Sequence, residues 1–219
     1  MLERENEQNA ISIPAMLKLV GVIAGTWGIL VVLAATLAYV PGHPGFSLFT
    51  TYLSDIGDTA GWPQIIFNSG TLIAAPIRYL VVVLLVLRLA QLGAGRAFAV
   101  SALITGFVSA CGTVLMTAVP FSVAPAIHKS GIPLYFLGVV VLQSLICIRE
   151  WSLQGVPKVL PVLSLVVVVV FLVFATLVVL YEQGAVSRST PVVWEWLAFV
   201  SSVVWVFAQS ILLGKGDAT

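Results

Sequence analysis

The sequence predicts an all-α integral membrane bundle of six transmembrane helices, and three observations carry that expectation. Of 219 residues, 60% are hydrophobic and only 9% are charged, against about 25% charged in soluble domains. Ten basic and nine acidic side chains cannot solvate the surface of a globule this size. The apolar residues gather in six long continuous runs without the alternation of barrel strands, and roughly 20 such residues in a helix cross a hydrocarbon core. A net charge of +1 argues against a nucleic-acid partner. Two cysteines, Cys111 and Cys147, both inside apolar runs, do not make a disulfide scaffold.

An N-terminal tail of residues 1–14 precedes the first run, Ala15–Val40. That run exceeds the roughly 7–15 apolar residues of a signal peptide, and Glu3, Glu5 and Glu7 flank it in place of a basic cluster. It is expected to stay as a helix. The second run, Trp62–Leu89, opens on an interfacial tryptophan. In the third, Phe98–Ala118, Gly106 and Ala110 lie four apart, and Ser109, Thr113 and Thr117 form another small-residue line. That spacing lets membrane helices approach closely. The fourth, Ile127–Ile148, aligns His128, Gly131, Tyr135 and Gly138 on one face. The fifth, Val159–Tyr181, is apolar all round and is expected to be peripheral and lipid-facing. The sixth, Pro191–Leu213, carries Glu195 between Trp194 and Trp196, and a short tail, 214–219, follows. Residues 15–213 therefore read as one transmembrane domain.

Orientation follows from where Lys and Arg fall. With a cytoplasmic N-terminus, that side holds Arg4, Lys18, Arg88, Arg96, Arg149, Lys158 and Lys215, and the other holds only Lys129 and Arg188. Both termini are thus expected in the cytoplasm. The longest link, Pro41–Gly61, then lies outside, and the turns around Gly93–Arg96 and Trp151–Lys158 lie inside.

Polar residues that lipid makes costly are the functional candidates. Arg78 lies within the second span on a stripe with Gln64 and Thr71, two residues after Pro76, which is expected to kink the helix. It either snorkels to cytoplasmic phosphates or anchors an anionic headgroup or a buried carboxylate. A second set gathers at the outer ends: Ser54, Asp55 and Asp58, with His43 upstream and Asn68 downstream; His128 and Lys129; and Glu195. Asp55, His128 and Glu195 are the candidate catalytic residues, through acid–base work or as ligands. Ser54, Asp58, Asn68 and Arg78 are the candidate binding residues. No HExxH or CxxC motif supports a metal, and no cofactor is indicated. Ser54–Asp58 also reads as turn chemistry beside Gly57. His128 reads equally as a packing histidine. A Ser54–His128–Asp55 hydrolase lacks the GxSxG elbow.

The outer link carries a resemblance. Leu53-Ser54-Asp55-Ile56-Gly57, then Phe67 at the start of the next helix and Arg88 at its end, resemble the signature of the DRAM/FRAG superfamily of six-span membrane proteins. Asn68 after Phe67 is closer to its prokaryotic relatives. Phe121, His128, Gly131 and Phe136 are similar to the fourth-helix pattern, and Glu195-Trp196 to the start of the last helix. Pro76, Arg78 and His43 fall outside the pattern. Members are tied to autophagy modulation, to remodelling of the lipid of glycosylphosphatidylinositol anchors, and to phosphoinositide signalling and lipid asymmetry. The resemblance implies membrane lipids as partners and, for a prokaryotic chain, the plasma membrane as location.

Three functions follow as expectations. The first is a lipid-handling protein that binds or remodels a headgroup at the outer face, by acyl transfer or hydrolysis if it is an enzyme. The second is a non-enzymatic scaffold or regulator. The third is a small transporter with Arg78 on its path, although no internal repeat accompanies it. Orientation has a direct test, in a background with Cys111 and Cys147 replaced. Gly45→Cys reacts with an impermeant maleimide on intact cells, and Gly155→Cys reacts only after permeabilisation. The opposite labelling inverts the topology.

Overall fold

A computed structural model describes residues 12–118 and 124–215. Most of the expected N-terminal tail (with Arg4), Phe121, and the end of the C-terminal tail lie outside the described residues. The described chain forms α1 (Ile13–Tyr39), α2 (Leu53–Asp58), α3 (Trp62–Gln91), α4 (Arg96–Ala118), α5 (Pro125–Ser152), α6 (Val159–Glu182) and α7 (Ser189–Leu213), with a 3-10 turn over Val40–Gly42. All but α2 are long and apolar enough to cross a membrane, which makes six candidate spans. No strand occurs among the described residues. The protein is an integral, multi-pass membrane protein.

Local chemistry sets the helix starts. Ser12 caps α1, its hydroxyl accepting the Ala15 N–H at 3.4 Å. Prolines sit in the first turn of α1, α3 and α5, where a missing N–H costs nothing. Pro76 and Pro133 stand inside α3 and α5, which continue through them as single helices. In the turn after α3, Gly93 adopts φ +98°, and the Ala94 N–H reaches back to the Leu89 carbonyl at 2.8 Å. That reversal needs the left-handed backbone that glycine reaches without strain.

The long helices close into a ring. Each packs on the next in chain order, α1 on α3, then α4, α5, α6 and α7, and α7 returns to α1. Six crossings put the start of α1 and the end of α7 at one end, and α2 lies at the other. We call these the terminal end and the α2 end.

Small residues make the tightest seams. A Cβ on Gly112 of α4 would fall 2.3 Å from the Tyr135 backbone nitrogen of α5, and one on Gly138 would fall 2.8 Å from Ser109 Cβ. The α4–α5 contact is therefore backbone against backbone. It uses the Ser109 line of α4, while Gly106 faces Val82 of α3. Between α1 and α7, Gly21 and Gly25 receive Ser210 and Phe207. With no hydrophobic drive between helices in lipid, such close approach supplies the dispersion energy of association.

The fifth span departs from its expectation. One face of α6 is buried through Leu160, Ser164, Val167, Val168, Phe171 and Phe174, and it joins α5 to α7 in the ring. A run of valines presents the same apolar surface to lipid and to neighbouring helices, so composition alone cannot tell the two apart. Ser164 is also a polar handle, fully buried.

Gly112→Ala is expected to lower the melting temperature of the detergent-solubilised protein, corresponding to about 1–3 kcal/mol of overpacking. Gly95→Ala, where an added Cβ meets nothing within 4 Å, serves as the control and should change little.

Candidate functional site

The irregular link before α3 must satisfy its backbone groups at the edge of an apolar bundle, and α7 supplies the partners. Glu195 accepts the Leu53 N–H at 2.5 Å and also bonds Ser54 through its side chain and backbone. Trp196 donates its indole N–H to the Thr51 carbonyl at 2.9 Å. The start of α2 is thus capped by a carboxylate from another helix.

Asp55 caps the same turn from within, accepting the Tyr52 N–H at 2.9 Å. One guanidinium nitrogen of Arg188 meets both its oxygens, at 2.7 and 2.6 Å, and Arg188 also donates to the Thr50 carbonyl at 3.0 Å. The same guanidinium lies 4.8 Å from the centre of the Tyr52 ring. The hydrogen bonds to Asp55 hold the Arg188 guanidinium above its ordinary value. Burial is the main cause that pushes the Tyr52 phenol up to about 12, with Glu195 adding and Arg188 opposing.

At the far end of α2, Gly57 lies against α3. An added Cβ would meet the Phe67 ring at 2.7 Å, and the Asn68 amide donates to the Gly57 carbonyl at 3.0 Å. The Leu-Ser-Asp-x-Gly pattern followed by Phe-Asn is therefore one packed unit: a capped turn whose glycine admits the phenylalanine.

Beneath α2 lies a cavity of about 290 Å³ bounded by all six long helices. Most of its wall is apolar, from Val31 and Val32 of α1 to Phe136, Phe171, Phe174 and Phe199. Six of the seven candidate residues line it: Ser54, Asp58, Asn68, Arg78, His128 and Glu195. Ser54 and Asp58 are exposed, so the cavity meets the surface at the α2 end. Asp55 is not among the lining residues, because its carboxylate is turned to Arg188. His43 is engaged elsewhere, stacked on Tyr39 at 3.8 Å and bonded through Nδ1 to the Tyr39 carbonyl at 2.9 Å.

Arg78 forms the inner end of the cavity. Its Nη2 donates to Thr113 Oγ1 at 3.1 Å, and its guanidinium lies 5.9 Å from the Tyr135 ring centre. Thr113 lies five residues from the α2 end of α4, about 7 Å of helix rise. The guanidinium thus points into the bundle and towards α2, not towards phosphates at the terminal end. Among the described residues it has no carboxylate partner. No three His, Cys, Asp or Glu side chains among the described residues gather closely enough to hold a metal ion.

Several contributors carried no functional signal in the sequence. Arg188 counted only towards orientation. Thr113 reads only as a packing residue, and Trp196 only as half of the Glu195-Trp196 pair in the resemblance. Glu150, beside Arg149 near the end of its helix, is fully buried.

Residues 15–212 match the family described as Frag1/DRAM/Sfk1/Cwh43P N-terminal domain. No curated protein and no solved structure matches the chain.

Removing Glu195 leaves the Leu53 N–H without its carboxyl acceptor, whereas the Arg188–Asp55 pair is partly solvated, with side chains 46% and 31% exposed. Glu195→Ala is expected to cost about 1.5–3 kcal/mol, and Arg188→Ala no more than about 1 kcal/mol, read as melting temperatures in one detergent. Equal losses would show that the exposed pair holds α2 as firmly as the α7 carboxyl group does.

Proposed function

The chain belongs to the Frag1/DRAM/Sfk1/Cwh43P family, and on that footing we propose that it binds the headgroup of an anionic lipid in the cavity beneath α2. One observation carries the reading: a guanidinium closes the inner end of a mostly apolar chamber whose mouth is polar. A cation kept in a membrane bundle without a carboxylate partner is costly, and an anionic ligand supplies its counter-charge. Phosphate fits the site through charge-assisted bonds to Arg78, with the Thr113 hydroxyl as a second contact. Hydroxyl or amine groups of the same headgroup meet Ser54, Asp58, His128 and Glu195 nearer the mouth. At about 290 Å³ the chamber is at the lower bound of small-ligand sites. It takes a headgroup and leaves the acyl chains in the bilayer.

The geometry favours binding over remodelling. Asp55, one of the three candidate catalytic groups, is occupied by Arg188 and the Tyr52 N–H. His128 and Glu195 line the cavity, Glu195 while also holding the Leu53 N–H. If the termini are cytoplasmic, the lipid comes from the outer leaflet.

The test uses protein in neutral detergent with phosphatidylglycerol or phosphatidylcholine added. The anionic lipid should raise the melting temperature more than the zwitterionic one, and Arg78→Gln should abolish that difference while leaving the lipid-free melt nearly unchanged. Equal stabilisation by both lipids in the wild type, or an undiminished difference in Arg78→Gln, overturns the reading.

A further inference from the structure

We propose that Glu150, at the terminal end of the bundle, is a proton-binding site: it is held as the neutral acid between α5, α6 and α7. This site is separate from the headgroup cavity and does not depend on that reading.

The argument starts from burial. Glu150, Ser164 and Gln209 are each 0% exposed. The Trp205 indole N–H can only donate, and it donates to Ser164 Oγ at 2.8 Å. The Ser164 hydroxyl hydrogen then points to Glu150 Oε2, 3.2 Å away. By distance and angle Glu150 Oε1 makes no hydrogen bond, and neither do the two amide atoms of Gln209, yet the Gln209 side chain lies within hydrogen-bonding reach of the carboxyl group. Three orphaned atoms around one carboxyl group are unusual where buried polar groups are nearly always paired.

Charge decides which state satisfies them. Among the described basic groups at this end, Lys18 of α1 is exposed, Arg88 donates to Gln91, Arg149 to the Gly93 carbonyl, and Lys158 to the Trp151 carbonyl at 2.8 Å. Arg96 of α4 and Lys215 after α7 are exposed. From α5 itself, the ionisable neighbour is Cys147, whose thiol donates to the Pro161 carbonyl at 3.3 Å. The faces that α6 and α7 turn to the site contribute Ser164, Trp205 and Gln209, none of them charged. Glu150 forms no ion pair with any of these groups. An ionised carboxylate at zero exposure without a counter-charge costs far more than a neutral acid. A proton on Oε1 removes the charge and gives the Gln209 carbonyl oxygen a donor. The loaded site is then a chain in which Trp205 donates to Ser164, Ser164 to Glu150, and Glu150 to Gln209.

The chain also leads inward. Trp205 lines a second, smaller cavity of about 90 Å³ together with Gln143 and Arg78, so the proton site and the inner end of the headgroup cavity share one wall. Loss of the proton leaves a bare carboxylate in the α5–α6–α7 seam.

Infrared difference spectra of the full chain in nanodiscs test this directly. At neutral pH the wild type should show a protonated-carboxyl C=O band that is lost in Glu150→Gln, kept in Glu195→Gln, and indifferent to sodium or potassium. Glu150→Gln mimics the loaded state without taking up a proton, so at neutral pH it should melt at or above the wild type, and the two should converge in acid, where the wild-type carboxyl is protonated both folded and unfolded. As pH rises, the wild type should lose stability and the variant should not. Absence of the band, or its disappearance when either cation is added, overturns the proposal, the second outcome assigning the site to a metal cation instead. A variant that melts far below the wild type at neutral pH also overturns it, because the ionised form would then be the one that the fold uses.

Discussion

The contact between α7 and the link that precedes α3 governs the α2 end of the molecule. Lipid offers no hydrogen bonds, so an irregular backbone there persists only where protein groups satisfy it. Glu195 and Trp196, adjacent on α7, take the Leu53 and Ser54 amides and serve one carbonyl of that link. This fixes α2, and α2 in turn delivers Gly57 to Phe67 and places Ser54 and Asp58 at the cavity mouth. A carboxylate that looks catalytic in sequence therefore has a structural duty as well, and the two are compatible because Glu195 also faces the chamber.

The two ends of the bundle solve the same problem in opposite ways. At the α2 end a cation, Arg78, is kept beside a chamber where a ligand can reach it. At the terminal end an acid, Glu150, is closed in by neutral hydrogen-bonding side chains with no room for a bulky partner. Between them, Arg78 and Trp205 line a common small cavity. Polar groups in such places do little for stability in themselves. On the readings proposed above, an anion would answer the first and a proton the second.

How far the site could be read in advance depended on what sort of fact each residue was. Ser54, Asp58, Asn68, Arg78, His128 and Glu195 could be collected because each is a costly residue at one end of a span, and the topology brings those ends together. Asp55 is set apart from Asp58 in the sequence as the candidate catalytic residue, but its ion pair is not legible there. The two are three residues apart on a short helix, and only the position of Arg188, over a hundred residues later, shows which one is taken. Glu150 escaped notice because a glutamate beside Arg149 near a helix end looks solvated unless one knows that Ser164 and Gln209 close over it. Ser164 was hidden by the valines that follow it.

By itself the sequence determined the solvent, the number of spans and their limits to within a few residues. Those depend on the transfer energy of long apolar runs, a property summed along the chain. It also determined the membership of the α2 turn, because capping and glycine packing are local. The tertiary structure decided which faces of those runs are buried, which carboxylate belongs to which cation, and that Arg78 turns towards α2. Each of those choices depends on which side chains from distant helices share a space, and periodicity cannot say which neighbour a helix face will meet.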